Sequence, residues 1–117
     1  MQIQLFNKDQ ESTHVPTGQT IFKEGDKGEN MYAVLDGTVD IVIHGQTVES
    51  IGAGGVFGEM ALIEDRPRIA SAIVKSDARI VSIDRRRFMF LVQQNPYFAL
   101  QLMTVMAGRL RKMDEKL

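Results

Sequence analysis

Through the first two-thirds of the chain, apolar residues fall in short runs or alternate with polar ones, the period of strands rather than helices. "QTIFKEG" carries Ile21 and Phe22 and runs into "EGDKGEN", where Gly25 and Gly28 flank Asp26 with turn chemistry. "MYAVLDGTVDIVIHG" predicts two strands joined at Asp36-Gly37, a strong hairpin dipeptide. In the second arm Val39, Ile41 and Ile43 alternate with Asp40, Val42 and His44. "QTVESIGAGG" predicts another short strand ending in a glycine turn, and "SAIVKS" and "ARIVSID" predict two more. Strands this short and closely spaced imply a sandwich or barrel.

The period changes near residue 84. Asp84 is a good N-cap for a helix through "RRRFMFLVQQ", and Asn95-Pro96 suits a second cap with proline at the first helical position. The helix from there to about residue 115 carries Ala99, Met103, Met106, Leu110, Met113 and Leu117 at spacings of 4, 3, 4, 3 and 4. That is a heptad stripe. Phe98, Leu102 and Val105 form a second apolar face, so the helix could cover the β domain and offer its other face to a second copy of the chain. Packing of both faces within one chain fits the same pattern.

Composition narrows the class. A length of 117 residues gives one core and little room for a second domain. No apolar run approaches a membrane-spanning length, and "MQIQLFNKDQ" lacks the basic-then-apolar order of a signal peptide. The absence of cysteine excludes disulfides and thiolate zinc sites and is compatible with the cytoplasm, the expected location. Charge divides unevenly, with a net of −6 over residues 1–78 and +5 over residues 79–117. A solvated basic helix accounts for this, as would an anionic partner. Arg85, Arg86 and Arg87 open a helix against its dipole, at a cost that either surface tolerance or an acidic contact must absorb.

The segment with chemistry is "GGVFGEMALIEDRPRIAS", residues 54–71. Glycines let backbone approach a ligand closely, and "GEMALI" can form a single helical turn whose free N–H groups would face an anion. Arg68, stiffened by Pro67, could give a phosphate two parallel hydrogen bonds. Glu59 would repel a phosphate unless it accepts from a sugar hydroxyl while Arg68 neutralises the charge. Spacing alone favours a simple Glu59–Arg68 ion pair over a ligand site, and the segment is no P-loop, since it lacks the Lys-Ser/Thr ending.

At these residues the sequence resembles the cyclic nucleotide-binding domain family, of the type in catabolite activator protein and protein kinase A regulatory subunits. "FGEMALIEDRPRIAS" is similar to the family's phosphate-binding cassette, and "GQTIFKEGDKGENMYAVLDGTVDI" to the glycine-punctuated first strands of its β-roll. The resemblance implies a mainly β fold with helices: a double-stranded β-helix, or jelly-roll-like β-roll, over about residues 15–84, a short cassette helix, and C-terminal helices over about 85–117. It implies that Arg68 holds the exocyclic phosphate oxygens and Glu59 the ribose 2′-hydroxyl, with backbone N–H groups of Gly58, Met60, Ala61 and Ala70 completing the cradle. Leu102, Val105 and Met106 become candidate lids over the base. Where cGMP-selective members carry a threonine after the arginine, this chain has Ile69, which favours cAMP over cGMP; Ser71 could offer a hydroxyl or simply bond backbone.

The expected function is a non-enzymatic cyclic-nucleotide sensor whose C-terminal helix shifts on binding and is read by an effector protein or a second copy. The alternatives are an interaction module that has lost nucleotide binding, or a regulatory fragment of a larger transcription factor, kinase or channel. Because the chain stops at Leu117, where related transcription factors continue into a DNA-binding segment, no direct DNA binding is expected. A metal-dependent cupin-like enzyme would need more ligands than His14 and His44, which lie 30 residues apart, so no metal is expected. No nucleophilic triad is arguable, and Asp26, Asp36 and Asp40 fit solvated turns and strand edges.

Overall fold

Two long antiparallel strands carry the fold. In the computed structural model, which describes residues 12–115, β3 (Asn30–Ile43) and β6 (Ser71–Asp84) pair along nearly their whole length, from Asn30↔Asp84 to Val42↔Ser71. β1 (Ser12–Val15) and β2 (Thr20–Phe22) pair with β6, while β4 (Gln46–Ile51) and β5 (Val56–Phe57) pair with β3. The result is an open, antiparallel β-roll. The short helix α1 (Met60–Ile63) follows β5, and α2 (Arg85–Gln94) and α3 (Pro96–Glu115) follow β6.

The strand period explains how one sheet serves two cores. Successive side chains point to opposite faces. Thus Met31, Ala33, Val56, Val81 and Ile83 face α2, α3 and Leu62 of α1, where Phe88, Phe98 and Leu102 complete one buried cluster. Their neighbours Val34, Phe57 and Ile80 face the interior of the roll with Val15, Val39 and Val74. Phe98 is fully buried and meets Phe88 edge-on at 5.9 Å between centroids. The helices are therefore packed on the same strands that floor the roll.

Two predicted boundaries differ. The predicted hairpin at Asp36-Gly37 does not form, because β3 runs straight through it. Gly37 takes a positive φ of 85° inside an irregular stretch of the β3–β6 ladder, and Arg79 on β6 holds the Asp36 carboxylate through Nε at 2.7 Å. A Cβ at Gly37 would lie 2.2 Å from the Asp77 carbonyl oxygen, so the glycine serves a bulge against the neighbouring strand. The chain reverses instead at His44-Gly45, with φ of 50° and 79°, the signs a type I′ hairpin turn requires. "SAIVKS" and "ARIVSID" are likewise one continuous strand, β6.

The helix signals hold more closely. The Asp84 side chain accepts from the Arg87 N–H at 2.8 Å, capping α2. Pro96 opens α3, and the Asn95 N–H still bonds Leu91 at the end of α2, so the two helices meet at one non-helical residue. Of the predicted stripe, Met103, Leu110 and Met113 are exposed and Met106 half-buried, while Leu117 lies outside the described residues.

Candidate functional site

Arg68 reaches its place through its own backbone. Its N–H donates to the Asp26 carbonyl and its carbonyl accepts from Gly25 N–H, each at 2.8 Å. The turn itself is closed by Asp26, whose carboxylate accepts from the Lys23 N–H at 3.0 Å. The side chain then passes into the roll, leaving Arg68 only 8% exposed. Nη1 donates to the Gly58 carbonyl at 2.7 Å and Nη2 to the Asn30 carbonyl at 2.5 Å. The guanidinium carbon sits 3.9 Å from the centre of the Phe22 ring, within cation–π range. Phe22, Tyr32 and Phe57 form the aromatic bed beneath, with Tyr32 and Phe57 stacked at 5.3 Å.

The electrostatics of this arginine are unusual for a buried cation. Among the described residues it takes part in no ion pair, and its buried Nε has no hydrogen-bond partner. Burial pushes its pKa below the ordinary arginine value, against smaller opposing effects of Tyr32, Glu59 and Asp26. A buried charge with neutral partners is costly, and an anion beside it would reverse that cost.

Glu59 is 3% exposed but does not pair with Arg68. Its partner is Arg109 of α3, whose Nη1 donates to the Glu59 carboxylate. The same guanidinium donates through Nε to Glu49 of β4 at 2.9 Å and through Nη2 to the Val56 carbonyl at 2.5 Å. One residue of the long helix thus ties together α3, β4, β5 and the start of the cassette. It also resolves the difficulty of a carboxylate beside a phosphate, because Glu59 already has its counter-charge. On the opposite side, Arg85 at the start of α2 donates to the Leu62 and Ala61 carbonyls at 2.8 and 3.2 Å. It closes the free C-terminal carbonyls of α1, so the cassette is bonded to both helices that follow the roll. The expected cost of a basic helix start is therefore offset at Arg85 by a contact within the domain.

These groups line a cavity of about 570 Å³, of a size that holds a small organic ligand. Gly58, Glu59, Met60, Ala61, Arg68, Ile69 and Ala70 all border it. Ile41, Ile43 and Val48 give it an apolar wall. Ser71 is absent from the lining; its hydroxyl accepts the Glu24 N–H at 3.0 Å, so the serine serves the backbone. The lid candidates lie elsewhere. Leu102 belongs to the core under the helices and Val105 and Met106 pack against that core, because α3 is turned so that Arg109, Lys112 and Met113 face the cavity. Arg109 and Glu49 escaped the sequence reading: they stand 50 and 10 residues from Glu59, and only the angle of α3 brings them together. The available signal was that Arg109 continues the apolar face of Phe98, Leu102 and Val105, at spacings of 4, 3 and 4.

Comparison with known proteins agrees with this geometry. The family model described as cyclic nucleotide-binding domain matches residues 12–95. The chain is 35% identical over 107 residues to the cyclic AMP receptor protein of Thermus thermophilus, covering 87% of this chain and 50% of that protein. It therefore spans about half the length of that curated relative. Among solved structures, Thermus thermophilus catabolite activator protein superposes with a TM-score of 0.81 at 33% identity, over 91% of this chain and 52% of that one. A cAMP-bound PfPKA-R fragment superposes with a TM-score of 0.78 at 25% identity, over 90% and 36%. With the β-roll, the buried arginine and the family match in agreement, the chain belongs to the cyclic nucleotide-binding domain family.

Proposed function

We propose that the chain is a non-enzymatic sensor domain that binds cAMP in the cavity at Arg68 and transmits binding to α3. The observation that carries this reading is the buried, unpaired guanidinium of Arg68. A cyclic phosphodiester supplies the missing anion, and its ribose hydroxyl a donor for Glu59. Gly58, Met60, Ala61 and Ala70 line the cavity where backbone N–H groups would complete the cradle. Ile69 is 73% exposed at the cavity and cannot hydrogen-bond a base, while the Ser71 hydroxyl already accepts from backbone; both favour adenine over a guanine contact from this segment.

No bond is made or broken in this mechanism. Ligand on Glu59 alters the partner of Arg109, and α3 changes its population of positions about the non-helical Asn95. The exposed apolar residues of α3, among them Leu100, Met103 and Leu110, are then offered or withdrawn. A second copy or an effector protein in the cytoplasm reads them. The relatives' activities belong to chains about twice this long, so the output of any longer protein is part of this proposal.

Calorimetric titration tests the reading. Arg68→Ala should weaken cAMP binding roughly 10- to 150-fold, the loss of a charge-assisted contact of about 1.5–3 kcal/mol. Arg68→Lys should recover little, since an ammonium cannot copy the planar fork. Unchanged affinity in Arg68→Ala removes Arg68 from the site. A chain whose unfolding temperature ignores cAMP and cGMP at millimolar ligand is instead an interaction module of the same fold, because linkage raises the stability of any micromolar binder.

A further inference from the structure

Four charged side chains meet on the inner part of the cavity, and they sum to zero: Arg68 and Arg109 against Glu59 and Glu49. The remaining charges are at its rim. Glu64 and Arg66 pair with each other at 3.2 Å on the surface, and Lys112 is exposed near the end of α3. Water and salt screen rim charges over about 8–10 Å, and inner ones much less.

Two members of this set come from outside the cassette, Arg109 of α3 and Glu49 of β4, and Glu49 is the carboxylate of the two. It lies on β4 opposite Ile41, its side chain is 27% exposed, and it takes the Arg109 Nε–H at 2.9 Å. Arg109 is therefore shared between two carboxylates. With Glu59 alone, Arg109 would leave the inner cavity at a net +1; Glu49 returns it to zero. A neutral cavity accepts one negative charge at Arg68. A second negative charge finds no inner cation left, only Lys112 and the Arg66–Glu64 pair at the screened rim.

That difference separates two chemical classes. A cyclic phosphodiester is a monoanion, whereas a phosphomonoester carries about −1.5 to −2 near neutral pH. We propose that Glu49 is a specificity-determining residue that makes the cavity select the phosphodiester monoanion over the dianion, that is, a cyclic nucleotide over its ring-opened monophosphate. The inference rests on the cyclic-nucleotide reading of the site. Glu49 works against affinity in order to discriminate.

The test is a set of dissociation constants for cAMP and 5′-AMP, with the wild-type chain and Glu49→Gln, at low and high salt. Gln keeps the shape and an acceptor for Arg109 and removes only the charge. Removing one unit of partly screened charge should tighten cAMP about three- to tenfold and 5′-AMP by roughly the square of that factor. The preference for cAMP should shrink about three- to tenfold, and added salt should reduce the effect. If the wild type binds cAMP and the variant, with an unchanged unfolding temperature, keeps the same preference, Glu49 is only an anchor for α3 and the inference falls alone. Weaker cAMP binding in the variant assigns Glu49 to direct contact with the ligand and also overturns it. If the wild type binds no cyclic nucleotide, the reading of the site falls, and this inference with it.

Discussion

Arg68 lies so close to neighbouring backbone that it dictates what its neighbours can be. A Cβ on Gly28 would stand 2.6 Å from Arg68 Nε and 2.4 Å from the Ala61 Cβ, both far inside contact distance. Gly28→Ala must therefore push the arginine or the cassette aside. Overpacking of this kind costs about 1–3 kcal/mol, so urea unfolding should show a loss in that range together with weaker cAMP binding. A variant with wild-type stability and affinity would show that the 25–28 turn has slack. The part of the site visible in the sequence is the part held within one contiguous segment. Gly58, Glu59 and Arg68 declare themselves by residue type and spacing, and all three line the cavity. Phe22, Asn30 and Arg109 do not, because a phenylalanine under a guanidinium, a carbonyl acceptor and a helix arginine look like ordinary residues until the roll closes.

Among the elements, the strands β3 and β6 were legible as apolar and β-branched but not as single pieces. Asp-Gly is the same dipeptide for a hairpin and for a bulge with positive φ, and only the partner strand decides; here Arg79 and the Asp77 carbonyl decide for the bulge. The helices were easier, because Asp84 and Pro96 mark their starts by local chemistry that needs no distant partner. One contact between elements gives a prediction in pH. Asp77 of β6 accepts from the Thr17 hydroxyl at 2.7 Å and from the Thr17 N–H at 2.8 Å, pinning the β1–β2 connection. These bonds, the hydroxyl's first, hold the Asp77 carboxyl below its ordinary value. The folded state thus prefers the carboxylate. Its contribution is present above the unfolded carboxyl value, near pH 3.9, and fades as pH falls through the lower folded one. Asp77→Asn should flatten the fall of stability with acid in that window while leaving the steepness at neutral pH unchanged; an identical acid slope would remove this contact from the pH dependence.

For the whole molecule, the decisive feature is that the candidate site and α3 share a single guanidinium. The core of the roll and the helices lie on opposite faces of the same strands, and the apolar anchoring of α3 weakens along its length, from the buried Phe98 and Leu102 to the half-buried Val105 and Met106. Past Met106, Arg109 adds a polar anchor through Glu49, Glu59 and the Val56 carbonyl. Arg109→Gln should raise hydrogen exchange in the second half of α3, lower cAMP affinity by leaving Glu59 uncompensated, and erase the change in α3 exchange proposed for cAMP binding. Exchange in α3 that is unaltered by the substitution would mean that apolar packing alone fixes the helix, and that the ligand signal leaves by Arg85 and α2.

The aromatic bed under Arg68 has a practical consequence. The chain has no tryptophan and two tyrosines. Tyr32 is stacked on Phe57 beside the arginine, and Tyr97 stands exposed at the second residue of α3. Near-ultraviolet circular dichroism and tyrosine emission therefore draw on two reporters already in place, one beside Arg68 and one at the start of α3. Replacing Tyr97 with phenylalanine would leave Tyr32 as the tyrosine reporter of the site, and the difference from the unaltered chain would isolate the signal of Tyr97 on α3.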